Sequence, residues 1–331
     1  MDTTKIKTLR VANSRLINRI NEVKHKDAVT VATGEENVLI LDCHPFPRAT
    51  KESIKAINTK MSMYLDGGFA DMNGEIQTET KLTEIDMLLT DVIATFLKSG
   101  ITTVTLSDIV SICYGTEKTS GYRHARQSIY IELEKLSRIR CKIDATREYL
   151  ERNPNERKKG RKCIIYDYWL NLTTTVITES NGTIYEAKYE INSLPILHKY
   201  SDTQTVSIPL RQMTDSLDGT SIESVLIRRQ LLTKIAIMKN GNNNYDETKI
   251  YIDDHETHRK GGKMRPGLLS SLGYQIGTAV SDNAQRQRRK QLMKKIERAL
   301  SDFQAYDIIK GYTPIHGGYR NKTIVAYEIT I

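Results

Sequence analysis

Apolar residues recur at the three- and four-residue spacing of a helix in several stretches of the chain, and short β-branched stretches separate them. The clearest helical stretch is LTEIDMLLTDVIATFLKSG, in which Thr83 is a candidate N-cap and Gly100 a candidate stop. Four further stretches are predicted as strand, helix, helix and strand: ITTVTL, SDIVSICYG, GYRHARQSIYIELEKLSRI and RCKIDATREYL. After a polar tip, the run CIIYDYWLNLTTTVIT predicts one more strand.

The C-terminal part of the chain repeats this order of elements. Its helix, strand and short helix are predicted in SIESVLIRRQLLTKIAIMK, ETKIYID and PGLLSSLGY, and its third helix spans residues 281–303. Two strands, YDIIKGY and NKTIVAYEITI, then enclose the tip TPIHGGYR. This order is typical of a winged helix-turn-helix. The sequence therefore predicts an α+β fold with two tandem winged helix-turn-helix domains, at residues 81–192 and 193–331.

Residues 1–80 are predicted to form a basic, helical N-terminal arm. In the first 26 residues, apolar positions such as Leu9, Leu16 and Ile20 alternate with many cations, which predicts an amphipathic helix. A short strand follows in VLILDC. A second helix is predicted from Thr50 and ends at Gly67.

The charge of the chain indicates the class of its partner. Lysine and arginine outnumber the acids 49 to 40, for a net charge of +9, which favours a polyanion such as nucleic acid or an anionic membrane surface. No apolar run approaches the roughly 18 residues of a membrane span, and the N-terminus is too polar for a signal peptide. The four cysteines lack a CxxC pair, so free thiols in a reducing cytoplasm are expected.

The helix at 281–303 has an apolar and a basic side when it is projected at 100° per residue. The residues on the core side are Leu292, Ile296, Ala299, Leu300 and Phe303. The candidate DNA contacts on the opposite side are Arg286, Gln287, Lys290, Gln291, Lys294 and Arg298. Lysine and arginine neutralise phosphates, arginine also pairs with guanine, and glutamine pairs with adenine. A solvated charged face is the alternative, but the stretch has only three acids, Asp282, Glu297 and Asp302, against seven lysines and arginines.

Three weaker groups of candidate DNA contacts come from the other predicted elements. On the third helix of the first domain they are Arg123, His124, Gln127, Ser128 and Lys135. At the first tip they are Arg157, Lys158, Lys159, Arg161 and Lys162, and at the second tip Tyr319, Arg320 and Lys322. A wing with such a tip grips phosphates or enters the minor groove. A localisation signal or a solvated loop is the alternative for the first tip.

The stretch YDETKIYIDDHETHRKGGK is the one place with a density of catalytic residue types. Asp253, Asp254, His255, Glu256 and His258 are metal-ligand types, and Glu247 with Lys249 forms the E-x-K element of restriction-type nucleases. Neither pattern has a specific spacing, and RKGGKMRPG departs from a phosphate-binding loop. We therefore expect no enzyme, no metal and no cofactor, with a charged surface segment as the simpler interpretation.

The two predicted domains resemble the initiator proteins of iteron-type plasmids. The resemblance covers about residues 80–331 and rests on LTEIDMLLTDVIATFLKSG, on IPLRQMTDSLDGTSIESVLIRRQLLTKIAI and on the basic helix before the C-terminal hairpin. It implies binding to repeated origin sites in double-stranded DNA, contact with host replication proteins, and a homodimer formed through the first module. A transcriptional regulator with the same fold stays open as an alternative, as does, less favoured, a metal-dependent nuclease. Residues 1–80 have no counterpart in the family.

Overall fold

The chain is described by a computed structural model, which divides it into two compact units. The described residues are 6–13, 16–17, 20, 30–33, 39–43, 59–71, 74–115, 122–146, 149–150, 153–178, 180, 184–201, 205–214, 221–240, 248–256, 264–274, 283–317 and 323–331. Unit 1 contains Arg10–Ile112 and Thr116–Thr205, and unit 2 contains Val206–Ile331 with the short pieces Lys7–Leu9 and Cys113–Gly115. The expected α+β class is confirmed.

The described helices and strands are numbered here in chain order. The helices are α1 (Glu84–Lys98), α2 (Leu106–Tyr114), α3 (Tyr122–Arg138), α4 (Ile196–Tyr200), α5 (Leu210–Thr214), α6 (Ile222–Lys239), α7 (Leu268–Ser271) and α8 (Asn283–Ala305), with a 3-10 helix at Pro154–Lys159. The strands are β1 (Thr8–Ala12), β2 (Thr30–Ala32), β3 (Leu39–Cys43), β4 (Thr59–Leu65), β5 (Phe69–Ala70), β6 (Ile76–Gln77), β7 (Glu79–Lys81), β8 (Thr103–Thr105), β9 (Ile139–Asp144), β10 (Ile164–Tyr168), β11 (Leu172–Thr178), β12 (Ile184–Ile191), β13 (Thr205–Pro209), β14 (Lys249–Tyr251), β15 (His255–Glu256), β16 (Met264–Arg265), β17 (Gly311–Gly317) and β18 (Thr323–Thr330). None of these helices has the length and apolarity to cross a membrane.

Helix α1 is the buried centre of unit 1, and its start is defined by a capping box. The Thr83 side chain accepts from the backbone N–H of Asp86, and the Thr83 backbone N–H donates to Asp86 Oδ2 at 2.7 Å. The N-cap predicted at Thr83 is confirmed. Trp169 packs fully buried in the same core and donates its indole N–H to Thr90 Oγ1 at 2.6 Å. The apolar stripe of the helix thus faces a core that also satisfies its polar groups.

Unit 1 contains two larger sheets. The three-stranded sheet has the order β11-β12-β8, so that the strand between α1 and α2 pairs antiparallel with the second strand of the β11–β12 hairpin. The four-stranded sheet has the order β10-β9-β4-β3 and is antiparallel throughout. The predicted single strand in residues 163–178 is wrong, because Trp169 and Leu170 turn into the core and divide it into β10 and β11.

Unit 2 shares with residues 84–191 of unit 1 the order helix, strand, two helices and hairpin, but β15–β16 is inserted in unit 2, and β9, the 3-10 helix and β10 are inserted in unit 1. Helix α6 is followed by β14, α7, α8 and the β17–β18 hairpin. Its sheet has the order β14-β18-β17, so β14 pairs with the second strand of the hairpin, just as β8 pairs with β12. The core side predicted for the third helix is confirmed, since Leu292, Ile296, Ala299, Leu300 and Phe303 are all buried.

The helical arm predicted for residues 1–80 is wrong for the two longest segments described there. Thr8–Ala12 is a strand, although Leu16, Ile17 and Ile20 are helical. Thr59–Leu65 is also a strand, with Met61, Met63 and Leu65 buried on one side. These three residues alternate as in a strand, and pairing with β9 decides between the two periods. The strand predicted before it is confirmed as β3, whereas residues 50–58 lie outside the described residues.

Candidate nucleic-acid interface

Helix α8 has one exposed face that carries no negative charge. The six candidate contacts Arg286, Gln287, Lys290, Gln291, Lys294 and Arg298 are all exposed, as predicted. The other exposed positions of the helix are Asn283, Ala284, Gln285, Ser301, Gln304 and Ala305, so every exposed residue is neutral or cationic. A surface of this composition attracts a polyanion along the whole length of the helix.

Three further cations of α8 are used within unit 2. Arg289 makes a two-pronged ion pair with Asp253, with N–O distances of 2.6 and 2.8 Å. Arg288 and Lys295 both contact the carboxylate of Glu223 in the first turn of α6. The position of Arg289 on the apolar side of the helix is thereby explained, because a carboxylate meets it there.

Both acids of α8 face the unit and not the solvent. Tyr327 donates its hydroxyl to Glu297 Oε1 at 3.0 Å, and Asp302 pairs with the buried Arg228 of α6. Burial raises the pKa of Glu223, but the hydrogen bonds of Lys295 and Tyr274 and the nearby charge of Arg288 lower it overall. The carboxylate therefore stays ionised beside its cations at neutral pH.

On α3 the candidate residues have different surroundings. His124 is exposed, and Gln127 and Ser128 are half-buried; Arg123 lies in the first turn, and its side chain is outside the described part. The prediction that Lys135 contacts DNA is corrected by its burial. Its side chain is only 4% exposed, and its Nζ lies 2.7 Å from Asp86 Oδ1. It also pairs with Glu132. A lysine that neutralises buried carboxylates cannot reach a DNA phosphate, so Lys135 is removed from the candidate contacts.

The ion cluster around Lys135 contains one carboxylate more than it has cations. Asp86 is fully buried and Glu132 mostly so. Burial and the charge of Asp86, against the opposing effect of Lys135, together raise the pKa of Glu132 to about 7. Burial lowers the pKa of Lys135, but Asp86 and Glu132 raise it overall. The cluster fixes the end of α3 against the capping box of α1.

The basic tip at residues 154–162 leads from β9 into β10. Lys159, Arg161 and Lys162 are exposed, while the side chains of Arg157 and Lys158 are outside the described part. Glu156 pairs with Lys159 at 3.1 Å and with Arg161 at 2.9 Å, which shapes the tip. Gly160 has a φ of +62°, a conformation that favours glycine. The tip is thus exposed, but the hairpin that pairs with β8 is the β11–β12 hairpin, which the sequence patterns missed.

The tip of the second hairpin lies outside the described residues. Tyr319, Arg320 and Lys322 fall there, so their predicted role stays a prediction. His316, on the strand that leads to them, is exposed.

The described residues of the segment with catalytic residue types contact other residues of unit 2. Asp253 holds Arg289, and Asp254 Oδ1 accepts the backbone N–H of Gly267 at 2.9 Å. His255 stacks on Tyr251 with ring centroids 3.7 Å apart. Among the described residues, no group of three or more His, Cys, Asp or Glu side chains could hold a metal. Glu247 and His258 lie outside the described part, and the charged-segment interpretation fits the residues that lie inside it.

Comparisons of the chain with protein-family models, with curated proteins and with solved structures gave no match.

We predict that Arg289→Ala destabilises unit 2, whereas Lys290→Ala at the next position does not. The first change leaves a half-buried Asp253 without its guanidinium, and we expect a loss of about 1–3 kcal/mol in the free energy of unfolding. The second removes an exposed side chain, with an expected change under about 0.5 kcal/mol. Urea denaturation followed by circular dichroism measures both. Equal effects of the two substitutions on the free energy of unfolding would contradict a stabilising role for the pair of Arg289 with Asp253.

We predict that Glu132→Gln flattens the pH dependence of stability. A folded-state pKa of about 7, above the unfolded value, means that the folded protein binds more protons between pH 4.5 and 7. The wild type therefore loses stability as the pH rises through that range. Between pH 5 and 8 we expect a loss of about 1–3 kcal/mol relative to the variant, measured by urea denaturation.

The matched control is Glu134→Gln, a glutamate of the same helix with 23% side-chain exposure against 22% for Glu132. It pairs with the more exposed Arg138 and not with the buried cluster. Its stability curve should run parallel to that of the wild type. A parallel curve for Glu132→Gln as well would contradict the proposed charge excess in the cluster.

Proposed function

We propose that the chain is a sequence-specific binder of double-stranded DNA, built from two tandem winged helix-turn-helix domains, and that it acts as a replication initiator. Its target would be repeated origin sites of a plasmid or similar mobile element. The observation that carries the proposal is the exposed face of α8, where cations and amides lie together and the helix's acids face inward. Duplex DNA presents to such a helix a line of phosphates beside base edges that amides and guanidinium groups can pair with.

The element order supports the same architecture in both units. In each one, a helix, a strand and two further helices precede an antiparallel hairpin, and the first strand pairs with the last. In such a module the third helix enters the major groove. We infer that α3 and α8 are the two recognition helices and that residues 81–192 and 193–331 are the two domains. Two such helices in one chain could bind successive half-sites about one helical turn apart.

The assignment to a replication initiator depends on the resemblance of residues 80–331 to iteron-binding initiators. The two domains in one polypeptide and the basic helix before the C-terminal hairpin support it. Host replication proteins and a second copy of the chain are the partners that the resemblance implies. A transcriptional repressor is the alternative, since its DNA-contacting surface would have the same chemistry.

The target sequence separates these two functions. The purified protein would be incubated with sheared DNA of its source replicon, without added metal, and the retained duplexes sequenced. Short direct repeats near the protein's own gene would support an initiator, and a single palindrome would support a repressor. Salt-sensitive retention without any enriched sequence would contradict sequence-specific binding.

We predict that the residues of the α8 face divide into phosphate contacts and base contacts. Lys290→Ala and Lys294→Ala should weaken binding to specific and random duplexes alike, and each should reduce the slope of log K against log salt by about 0.9. Gln287→Ala should instead reduce the preference for one base pair, by about 1–3 kcal/mol. Fluorescence anisotropy over a salt series measures these effects. Identical behaviour of all three variants would contradict base recognition by this helix.

A further inference from the structure

The four-stranded sheet of unit 1 has one buried face and one exposed face. The buried face contributes Met61, Met63, Leu65, Ile139, Cys141 and Ile143 to the core. The side chains between them point to the opposite side, because successive residues of a strand alternate. Strand β10 is an edge of this sheet, so nothing pairs with it on its outer side in this sheet.

Three tyrosines and two cations form the centre of the exposed face. Tyr168 of β10, Arg140 of β9 and Tyr64 of β4 are direct neighbours in register. In the next row, Tyr166 lies beside Lys142. We call these five residues the tyrosine face.

One ring of the tyrosine face is unusually accessible. Tyr166 is 66% exposed, although aromatic side chains are usually packed against apolar neighbours, while Tyr64 and Tyr168 are half-buried. The Arg140 guanidinium carbon lies over the Tyr168 ring, 4.9 Å from its centroid, and Lys142 Nζ lies over the Tyr166 ring at 5.3 Å. Each of these two rings therefore has a cation on one side, and a base would stack on the other side.

The end of the face at Asp144 and Ile164 is positively charged. Lys60 lies opposite Asp144 in the outermost row of the sheet and is exposed. The basic tip leaves the sheet at this end, with exposed Lys159, Arg161 and Lys162. The acids of this region are Asp42 opposite Lys60, Asp66 beside Arg140, Asp144 and Glu156. They are outnumbered by the cations Lys60, Arg140, Lys142, Lys159, Arg161 and Lys162, which favours a polyanion that runs from the tip onto the tyrosines.

We propose that the tyrosine face is a binding surface for single-stranded DNA. Bases would stack on Tyr166 and Tyr168, and the phosphates would lie along Lys142, Lys60 and the basic tip. Exposed aromatic rings interleaved with cations are what a sequence-tolerant single-strand site needs, since every base has a flat face that can stack.

The spacing of the two rings favours a single strand over a duplex. Tyr166 and Tyr168 are two residues apart on one strand, hence about 7 Å along it. That is about twice the 3.4 Å step between stacked bases of a duplex. The bases of a single strand can unstack from one another, so that successive bases can stack on the two rings. In a duplex the flat faces of the bases are covered by the neighbouring base pairs.

This inference does not depend on the proposed function, because it uses a different surface. The tyrosine face belongs to β4, β9 and β10 of unit 1, whereas the duplex-binding proposal is carried by α8 of unit 2. A variant of one surface therefore leaves the other intact. Loss of single-strand binding with retained duplex binding, or the reverse, tells the two proposals apart.

The test measures binding of the full chain to a fluorescent oligothymidine of about 20 nucleotides by anisotropy. We expect Tyr166→Ala to weaken this binding about tenfold or more, and Tyr166→Phe to stay within about twofold of the wild type, because the ring stacks and the hydroxyl does not. The matched control is Tyr185→Ala, a tyrosine with 65% exposure on β12 of the other sheet. It should bind like the wild type.

Each other outcome overturns the proposal. If Tyr166→Ala binds like the wild type, or if Tyr185→Ala loses as much affinity, the tyrosine face is not the site. Loss in Tyr166→Phe equal to that in Tyr166→Ala would exclude stacking. Tighter binding of a uridine oligonucleotide of the same length would overturn the assignment to DNA. Circular dichroism of the variants controls for folding.

Discussion

The ion pairs that Glu223 and Asp253 form with α8 hold this helix on unit 2 and determine which of its cations stay at the surface. Two carboxylates meet three cations, Arg288, Arg289 and Lys295, on the side of the helix nearest the core. A cation beside a core is tolerated only where a carboxylate compensates it. The ion pairs therefore allow α8 to bury its apolar side although three of its cations lie close to the core. The face that stays exposed carries no acid of the helix itself.

The same physics has the opposite result on α3. There the cation near the helix end, Lys135, is withdrawn from the surface by Asp86 and Glu132. Asp86 also completes the capping box of α1, so one carboxylate connects the start of one helix to the end of another. Unit 1 thus uses a lysine for internal cohesion at a position where an unpaired lysine would contact phosphate. The polar surface of α3 is correspondingly weaker, and the two third helices should not contribute equally to duplex binding.

The features that could be predicted from sequence are those set by neighbours along the chain. The N-cap at Thr83 and the core side of α8 depend on residues within a few positions of each other, and both predictions are confirmed. Asp86, which pairs with Lys135, lies 49 positions away from it, and Asp253 lies 36 positions away from Arg289, so no local pattern could show these two pairs. The helix predicted across Thr59–Leu65 is wrong for the same reason. Met61 and Leu65 fit a helical spacing, and only the pairing with β9 selects a strand. Long-range pairing therefore decided both the sheet and the buried charges.

Rigidity distinguishes the tyrosine face from an ordinary exposed surface. Asp66 Oδ2 accepts from Arg140 Nε at 2.8 Å and from the Tyr168 hydroxyl at 3.0 Å, so one carboxylate orients both a guanidinium and a ring. Side chains that are already ordered lose less entropy when a ligand settles on them. The β-sheet beneath adds a fixed spacing between the rows. Under the two proposals, the sheet would hold a single strand by base stacking together with phosphate contacts, whereas α8 would hold an intact duplex by its phosphates and base edges.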